Sequence, residues 1–533
     1  MNVALTQTSR AARRAPRPGA VLAALAAAQF TVMLATSIVN VALPQIRAGA
    51  GLSDGGTTWV VNAYGLAFGA LLLAGGRIAD LLGRRRVLVG GLALFASASV
   101  AAGLTASSGV LITTRALQGV GAAAIAPAAL ALVMDRFPPG PGRGRALGVW
   151  GAVSGAGAAG GVLLGGVLTQ AWGWPWIFHS VGLGSAVVLA AVVALVPRDA
   201  EAEADPRDER QGERPGERQG ERQGERPGKR PGVARRGQFD LLGTVAITSA
   251  LTCLVWALTT ARGAGWTDAR VLGSLGAAAV LLVTFYVIER RRPNALVPPR
   301  LFTAGRVAAG NLLMALLGSV WIALFFFLPL YQQQVLGTGP LLTGVGQLPL
   351  ALAHMIGSAL APRVARAIGA TATVTAALST EAAGLLWLSW MRPDGSYLVD
   401  VLGPSILVGL GLSIAFVQLT ALAVDGVPRQ DAGLAGGLVN TTRQVGGAIG
   451  LAALATLAGS VTARATPDRP PLDALTAGYR AAFTVSAAIL AATALLALFL
   501  IRRTGARTAP VTTAGPAGAD PHTSPLPPVP LDR

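Results

Sequence analysis

The chain has 533 residues, of which 52% are hydrophobic, 68 are glycine and only 13% are charged, so about two-thirds of it is apolar or glycine. Soluble domains carry roughly a quarter charged residues. Here charge is confined to short islands between apolar runs of about 20 residues, the length that crosses hydrocarbon as a helix, which excludes a soluble enzyme or globular binding domain. The net charge of +18 sits beside those runs rather than on an amphipathic face with stacking aromatics, so it reads as membrane topology and not as a nucleic-acid footprint.

In chain order, residues 1–18 form a basic arm. Six apolar runs follow at 20–43, 57–78, 87–105, 110–133, 146–168 and 177–196, making an N-terminal six-helix bundle over 19–197. The first run follows Arg10, Arg13, Arg14 and Arg17 as a signal peptide would, but it is too long and thirteen others come after it, so it stays attached. Residues 198–240 contain a period-four run from Gly212-Glu213-Arg214-Pro215 to Gly228-Lys229-Arg230-Pro231, whose charges, Pro and Gly bury nothing; a disordered cytoplasmic linker is expected. Two additional spans occupy 241–289, at 241–261 and 271–288. The C-terminal six-helix bundle, 290–503, has runs at 307–330, 341–361, 371–390, 399–424, 434–461 and 479–501, and a disordered tail covers 504–533. The expected fold is an all-α, polytopic membrane protein with fourteen transmembrane helices.

Arginine placement orients it. With the N-terminus inside, the inside loops hold Arg84, Arg85 and Arg86; Arg136, Arg143 and Arg145; Arg290, Arg291 and Arg292; Arg363 and Arg366; and Arg502, Arg503 and Arg507. The outside loops hold fewer, which puts both termini in the cytoplasm of a cell-membrane protein. The single cysteine, Cys253, lies in an apolar run and permits no intramolecular disulfide or cysteine metal cluster.

Four stretches carry local signals. The first span ends Met33-Leu34-Ala35-Thr36-Ser37-Ile38-Val39-Asn40-Val41-Ala42-Leu43-Pro44. Between spans 2 and 3 lies Gly76-Arg77-Ile78-Ala79-Asp80-Leu81-Leu82-Gly83-Arg84-Arg85-Arg86, in which Gly83 allows a tight reversal and Asp80 can cap a helix or pair with an arginine. The fourth span contains Arg115-Ala116-Leu117-Gln118-Gly119-Val120-Gly121-Ala122, placing a guanidinium several residues inside hydrocarbon. Left unpaired there it would cost at least about 2.5 to 3.5 kcal/mol, so it faces the bundle interior or snorkels outward. In the fifth span Gly157, Gly161 and Gly165 share one face, with Gly166 beside it, and invite a close helix neighbour.

These stretches resemble motifs of the major facilitator superfamily, and with fourteen spans the chain resembles its drug:proton antiporter branch. The resemblance implies that the loop with Asp80, Gly83, Arg84 and Arg85 latches the cytoplasmic side, that Arg115 takes part in proton coupling, and that the glycine face belongs to an exporter motif. Two positions depart from the pattern: Ala35 stands where the branch has aspartate, and Val162 where the exporter motif has proline. Ala361-Pro362-Arg363 to Gly369 falls where the Gly83 turn would repeat in the second half, and paired halves leave a cavity near the midplane. Its candidate polar lining is Gln29, Thr36, Asn40, Asn62, Gln118, Asn311, Gln332, Gln333 and Gln418.

The inventory of intramembrane ionisable groups reads Arg115, His354, Glu381 and Arg443. Glu381 is the substitute carboxyl for binding and releasing a proton. His354 carries the side chain that ordinarily titrates near neutral pH, with a packing histidine as the alternative. Arg443, in Asn440-Thr441-Thr442-Arg443-Gln444, serves packing, gating or substrate contact. Phosphate loops and metal-ligand spacings are missing from the sequence, and no catalytic set converges. The expectation is therefore a transporter with no enzymatic activity, no cofactor, no metal and no nucleic-acid partner, monomeric in the bilayer. It exports small, mostly hydrophobic compounds in exchange for protons. An uncoupled facilitator and a non-transporting sensor or scaffold remain as alternatives.

Overall fold

Each apolar run in the described region folds as a helix, because hydrocarbon offers no partner for a bare N–H or C=O and a helix satisfies both within one segment. The structure, a computed structural model, describes residues 18–137, 141–197, 241–291, 306–425, 427 and 432–505. The N-terminal arm, the 198–240 linker and the C-terminal tail lie outside these residues, except for Pro18 and 504–505.

The helices are α1 (Pro18–Gly49), α2 (Asp54–Leu82), α3 (Arg84–Gly103), α4 (Ser108–Arg136), α5 (Pro141–Trp172), α6 (Pro175–Leu195), α7 (Leu241–Ala264) and α8 (Ala269–Arg291). They continue as α9 (Val307–Gln334), α10 (Pro340–Gly346), α11 (Leu348–Ile368), α12 (Ala370–Leu388), α13 (Gly403–Val424), α14 (Ala432–Ala465) and α15 (Pro471–Gly505). The tenth span is broken at Gln347 into α10 and α11, and a π-helical turn, Tyr397–Leu402, leads into α13. Counted this way there are fourteen spans. Thirteen are long and apolar enough to cross a membrane on composition alone; the exception is α12, which carries Glu381. Arg47 lies in the last turn of α1 and pairs with Asp54 at the start of α2.

The two halves repeat one packing scheme. In the first, α1 packs on α5, α2 and α3 on α4, and α3 on α6; in the second, α9 packs on α14, α11 and α12 on α13, and α12 on α15. The turns repeat as well. Gly83 (φ 97°) ends α2 and Gly369 (φ 82°) ends α11, both in left-handed backbone that a side chain resists, which is how each chain reverses in one residue. The added pair is asymmetric. Helix α7 lies across the seam between α2 and α14, where Leu251 and Val255 pack with Leu66, Ala70, Ala448 and Ala452, while α8 packs chiefly on α7.

The halves meet unevenly. At the end bearing the α1–α2 turn, Gln45 on α1 donates to Gln333 on α9 (3.0 Å), and Gln333 donates to the Val41 carbonyl (2.6 Å). There too, Gly166 on α5 abuts the Pro340 carbonyl of α10, and Gly344 abuts the carbonyl of Val162. Toward the opposite end α5 stands clear, with open space beside Gly148, Gly151 and Gly155. Among the described residues no hydrogen bond or packed seam joins α4 to α13, the counterparts that would close that end. The molecule is sealed at the α1–α2 end; at the end of the Gly83 turn α5 stands clear and α4 and α13 are parted, while Leu73 of α2 still packs with Val307 and Leu438 of the other half.

Candidate functional site

Arg115 lies at the centre of the N-terminal bundle and is 1% exposed, so it faces inward and does not snorkel. Its Nε donates to the Val60 carbonyl of α2 (2.9 Å). Its Nη1 donates to Gln118 Oε1 (2.9 Å) and to the Ala35 carbonyl of α1 (3.4 Å). The guanidinium lies 4.5 Å from the centre of the Tyr64 ring. Gln118 passes the network on, donating to Ser99 Oγ of α3 (2.6 Å). Tyr64 donates to the Val32 carbonyl (3.1 Å) and accepts from Thr36 (3.3 Å). One cation thus ties four helices through carbonyl, amide and aromatic groups, and no carboxylate takes part. At Ala35, where the resemblance led one to look for an acid, only the backbone oxygen is engaged.

Across the seam, Arg443 of α14 lies within electrostatic reach of Tyr64. Arg443 lies 5.0 Å from the Trp321 ring centre and donates through Nη2 to Asn440 (2.8 Å), while its buried Nε has no hydrogen-bond partner. Trp321 packs edge-on against His354 (5.6 Å) and Phe416 (5.3 Å). His354 and Arg443 are electrostatic neighbours. The sequence inventory places these groups inside the hydrocarbon without grouping them; in the structure Trp321 contacts both Arg443 and His354, and Tyr64 contacts Arg115.

The expected polar lining divides. Thr36 and Gln118 belong to the Arg115 network. Gln29 and Asn40, both on α1, each keep an oxygen without a partner. Asn62 bridges the halves by donating to the Ala448 carbonyl (3.3 Å). The other four are elsewhere. Gln333 belongs to the seal, and Gln332, next to it, faces Gly346. Asn311 donates to Val307 and accepts from Thr442, locking α9 to α14, while Gln418 donates to the Ala361 carbonyl and locks α13 to α11. Polar side chains on a membrane helix satisfy a neighbouring helix as readily as a cavity, and sequence spacing does not separate the two uses. A cavity of about 270 Å³ at the sealed end, lined by Arg47, Asp54, Gln334 and Tyr479 among others, is separate from this centre.

Glu381 is fully buried and neither carboxyl oxygen has a partner. It packs at the α12–α13 crossing against Gly411, away from the arginines. The sequence inventory also missed Asp400, which is 5% exposed and accepts from Arg392 and from the Ser396 amide (2.8 Å). It sits one residue inside the twelfth apolar run, which is the signal that could have found it. Its carboxylate raises the pKa of the exposed Arg392 through this hydrogen bond. Arg480, just inside the last run, was missed too and donates to the Ser389 carbonyl (3.0 Å).

At the parted end, Arg84 bridges Asp80 (3.2 Å from Nε) and Asp135 at the end of α4, and Arg85 donates to the Val196 (2.7 Å) and Val193 (2.9 Å) carbonyls at the end of α6. These bonds all lie within the N-terminal half. Of the two roles expected of Asp80, the structure shows the pairing with an arginine and not the cap, since α3 has no side-chain cap. Of the glycines on α5, Gly157, Gly161 and Gly165 lie against the Phe30, Leu34 and Ile38 carbonyls of α1, whereas Gly166 belongs to the seal with α10.

Known proteins share this fold. A bacterial homologue of the human lysosomal transporter Spinster, solved inward-facing and unoccupied, superposes with a TM-score of 0.60 at 15% identity over 92% of this chain and 98% of that one. An auto-inhibited peptide transporter of the POT family gives 0.61 at 16% identity over 94% and 98%. The puromycin resistance protein pur8 of Streptomyces alboniger is 37% identical over 90% of both chains. The cephamycin export protein CmcT of Amycolatopsis lactamdurans is 37% identical over 88% of this chain and 90% of its own. The family model described as Major Facilitator Superfamily matches residues 25–451, and with these relatives it establishes that the chain belongs to that superfamily.

Proposed function

We propose that this protein is a secondary active exporter of small, mostly hydrophobic compounds, alternating between two states and exchanging the compound for protons. It acts as a monomer in the cell membrane with both termini in the cytoplasm. The observation that carries the reading is the uneven meeting of the halves around a central cation cluster, sealed by Gln45, Gln333 and Gly166 at one end and parted at the other. The arginine-rich loops fall at the parted end, which the positive-inside rule assigns to the cytoplasm. The relatives named for puromycin resistance and cephamycin export support antibiotics as the compound class.

In the proposed cycle the compound enters from the parted end and rests between Arg115 with Tyr64 on one half and Trp321 with Arg443 on the other. The Arg84 cluster then swings to close that end as the seal at Gln333 releases. Since the centre lacks a carboxylate, Glu381 carries the proton, acting through its contact with α13, one of the helices whose parting opens the site. His354, beside Trp321 and Arg443, is the other candidate for that step.

Substrate-driven proton release from vesicles reconstituted with the full chain, read across a compound panel, tests this. Proton movement that follows compound and collapses with an uncoupler is expected. Compound that equilibrates without accumulating would replace exchange with facilitated diffusion, the reading favoured by Ala35 standing at the usual acid position.

A further inference from the structure

The two central arginines are satisfied to different degrees. Arg115 spends its donors on two carbonyls and Gln118. Arg443 has one described hydrogen bond, to Asn440, a buried Nε with none, and partial accessibility of the side chain as a whole. A buried guanidinium donor left unmade is costly, more so than a neutral one. Among the described residues, the buried carboxyl groups are Glu381, Asp400 and Glu289, the last in the closing turn of α8. Glu381 lies in the α12–α13 crossing and Asp400 is engaged by Arg392 and Ser396, so neither compensates Arg443. The centre therefore holds two cations and no anion. Beside the open guanidinium stands an aromatic surface made by Trp321 with Phe416 and His354.

We infer that Arg443 is the specificity residue of the transport site, and that the site takes compounds pairing an anionic group, such as a carboxylate, with an apolar aromatic body. This rests on the transporter reading above and names the substrate class of the same site. The anion completes the hydrogen bonds of Arg443, and the body lies against Trp321. A cationic compound would enter a region already bearing two positive charges and meet like-charge repulsion.

The test uses the full chain in detergent with three probes of one shape: 1-naphthoate, its methyl ester, and 1-naphthylmethyltrimethylammonium. Binding is read by displacement of radiolabelled 1-naphthoate. The expected ranking in the unaltered protein places the anion about tenfold or more ahead of the cation. Arg443→Gln should weaken naphthoate about tenfold and the ester by no more than about twofold, whereas Arg443→Lys retains most of the anion preference through its charge. The ranking in the unaltered protein stands whether or not the variants fold. Equal binding of cation and anion overturns the inference, as does an unchanged ranking in a folded Arg443→Gln. Displacement of naphthoate by phosphatidylglycerol would assign the guanidinium to a lipid headgroup and overturn it as well. Export of the ester from energised vesicles reads the transporter proposal separately: if the ester moves while the ranking fails, only the anion inference falls.

Discussion

The N-terminal half builds its cation into the scaffold, and the C-terminal half leaves its cation partly open. Arg115 joins α1, α2, α3 and α4 through the Ala35 and Val60 carbonyls, Gln118 and Ser99, with Tyr64 across its face. Arg443 stands on a helix whose counterpart in the other half, α5, carries glycines at the matching crossing, and among the described residues Asn440 alone accepts from it. The same packing scheme thus serves two ends: one half is a preorganised wall, and the other presents chemistry to whatever enters. A residue's burial alone does not separate these roles. The count of satisfied donors does.

The largest expected effect follows from that contrast. Arg115→Ala leaves two carbonyls and the Gln118 oxygen without their donor in hydrocarbon, each costing about 1–3 kcal/mol, and should abolish compound efflux from energised vesicles while the chain still inserts. Arg443→Gln leaves behind one acceptor, so its loss of stability should be smaller than that of Arg115→Gln by about 2 kcal/mol. Thermal unfolding of the two glutamine variants side by side measures the difference. Equal losses would break the comparison by showing that Arg443 is scaffold too.

A second contrast lies in the helix crossings, where the halves should behave alike. Gly165 faces the Ile38 carbonyl of α1, and Gly450 faces the Ser319 carbonyl of α9. Valine at either position meets backbone that cannot rotate away, and a loss of at least about 1–3 kcal/mol is expected for each. Gly155→Ala, with open space around it, should be silent. Fluorescence-detected size exclusion after heating ranks the three. Tolerance of valine at Gly450 alone would show that the second half packs more loosely than the first.

Glu381→Gln comes next, since it alters one titratable group and little shape. Both oxygens lie without partners against α13, so the amide should fit with almost no change in stability and should flatten the dependence of export on pH. An unchanged pH profile would move the proton step to the His354 region at the centre.

The span count, the half-to-half repeat and the Gly83 and Gly369 turns were legible because hydrocarbon imposes length and apolarity on the sequence directly, whereas for Arg115 the sequence left an inward-facing and a snorkelling side chain both open and the fold decides for the first. The polar lining was legible only in part. Asn311 and Gln418 look like cavity residues along the chain, yet each is spent on a neighbouring helix, and a hydrogen bond across 131 residues between Thr442 and Asn311 leaves no local trace. Asp400 and Arg480 escaped for the opposite reason. They lie at the margins of apolar runs, where charge is ordinary, and only the fold shows that Asp400 is buried.

The smallest effect is expected at the turns themselves. Arg84 bridges Asp80 and Asp135 with side chains that are 34%, 51% and 57% exposed, and exposed ion pairs contribute about 0–1 kcal/mol because water and salt screen them. Asp135→Asn should therefore shift the unfolding transition by less than about 1 kcal/mol, and raising the salt concentration should shrink even that. Among the described residues the matching turn in the other half has no such bridge, and Arg366 donates to the Pro362 carbonyl of its own helix (3.3 Å). Arg366→Ala should then be more nearly silent still. If Asp135→Asn proves silent in stability but slows export, the Arg84 cluster acts on the balance between states. If Arg366→Ala slows export equally, the two turns share the task despite their different pairing, and the functional contrast between the halves is confined to their central arginines.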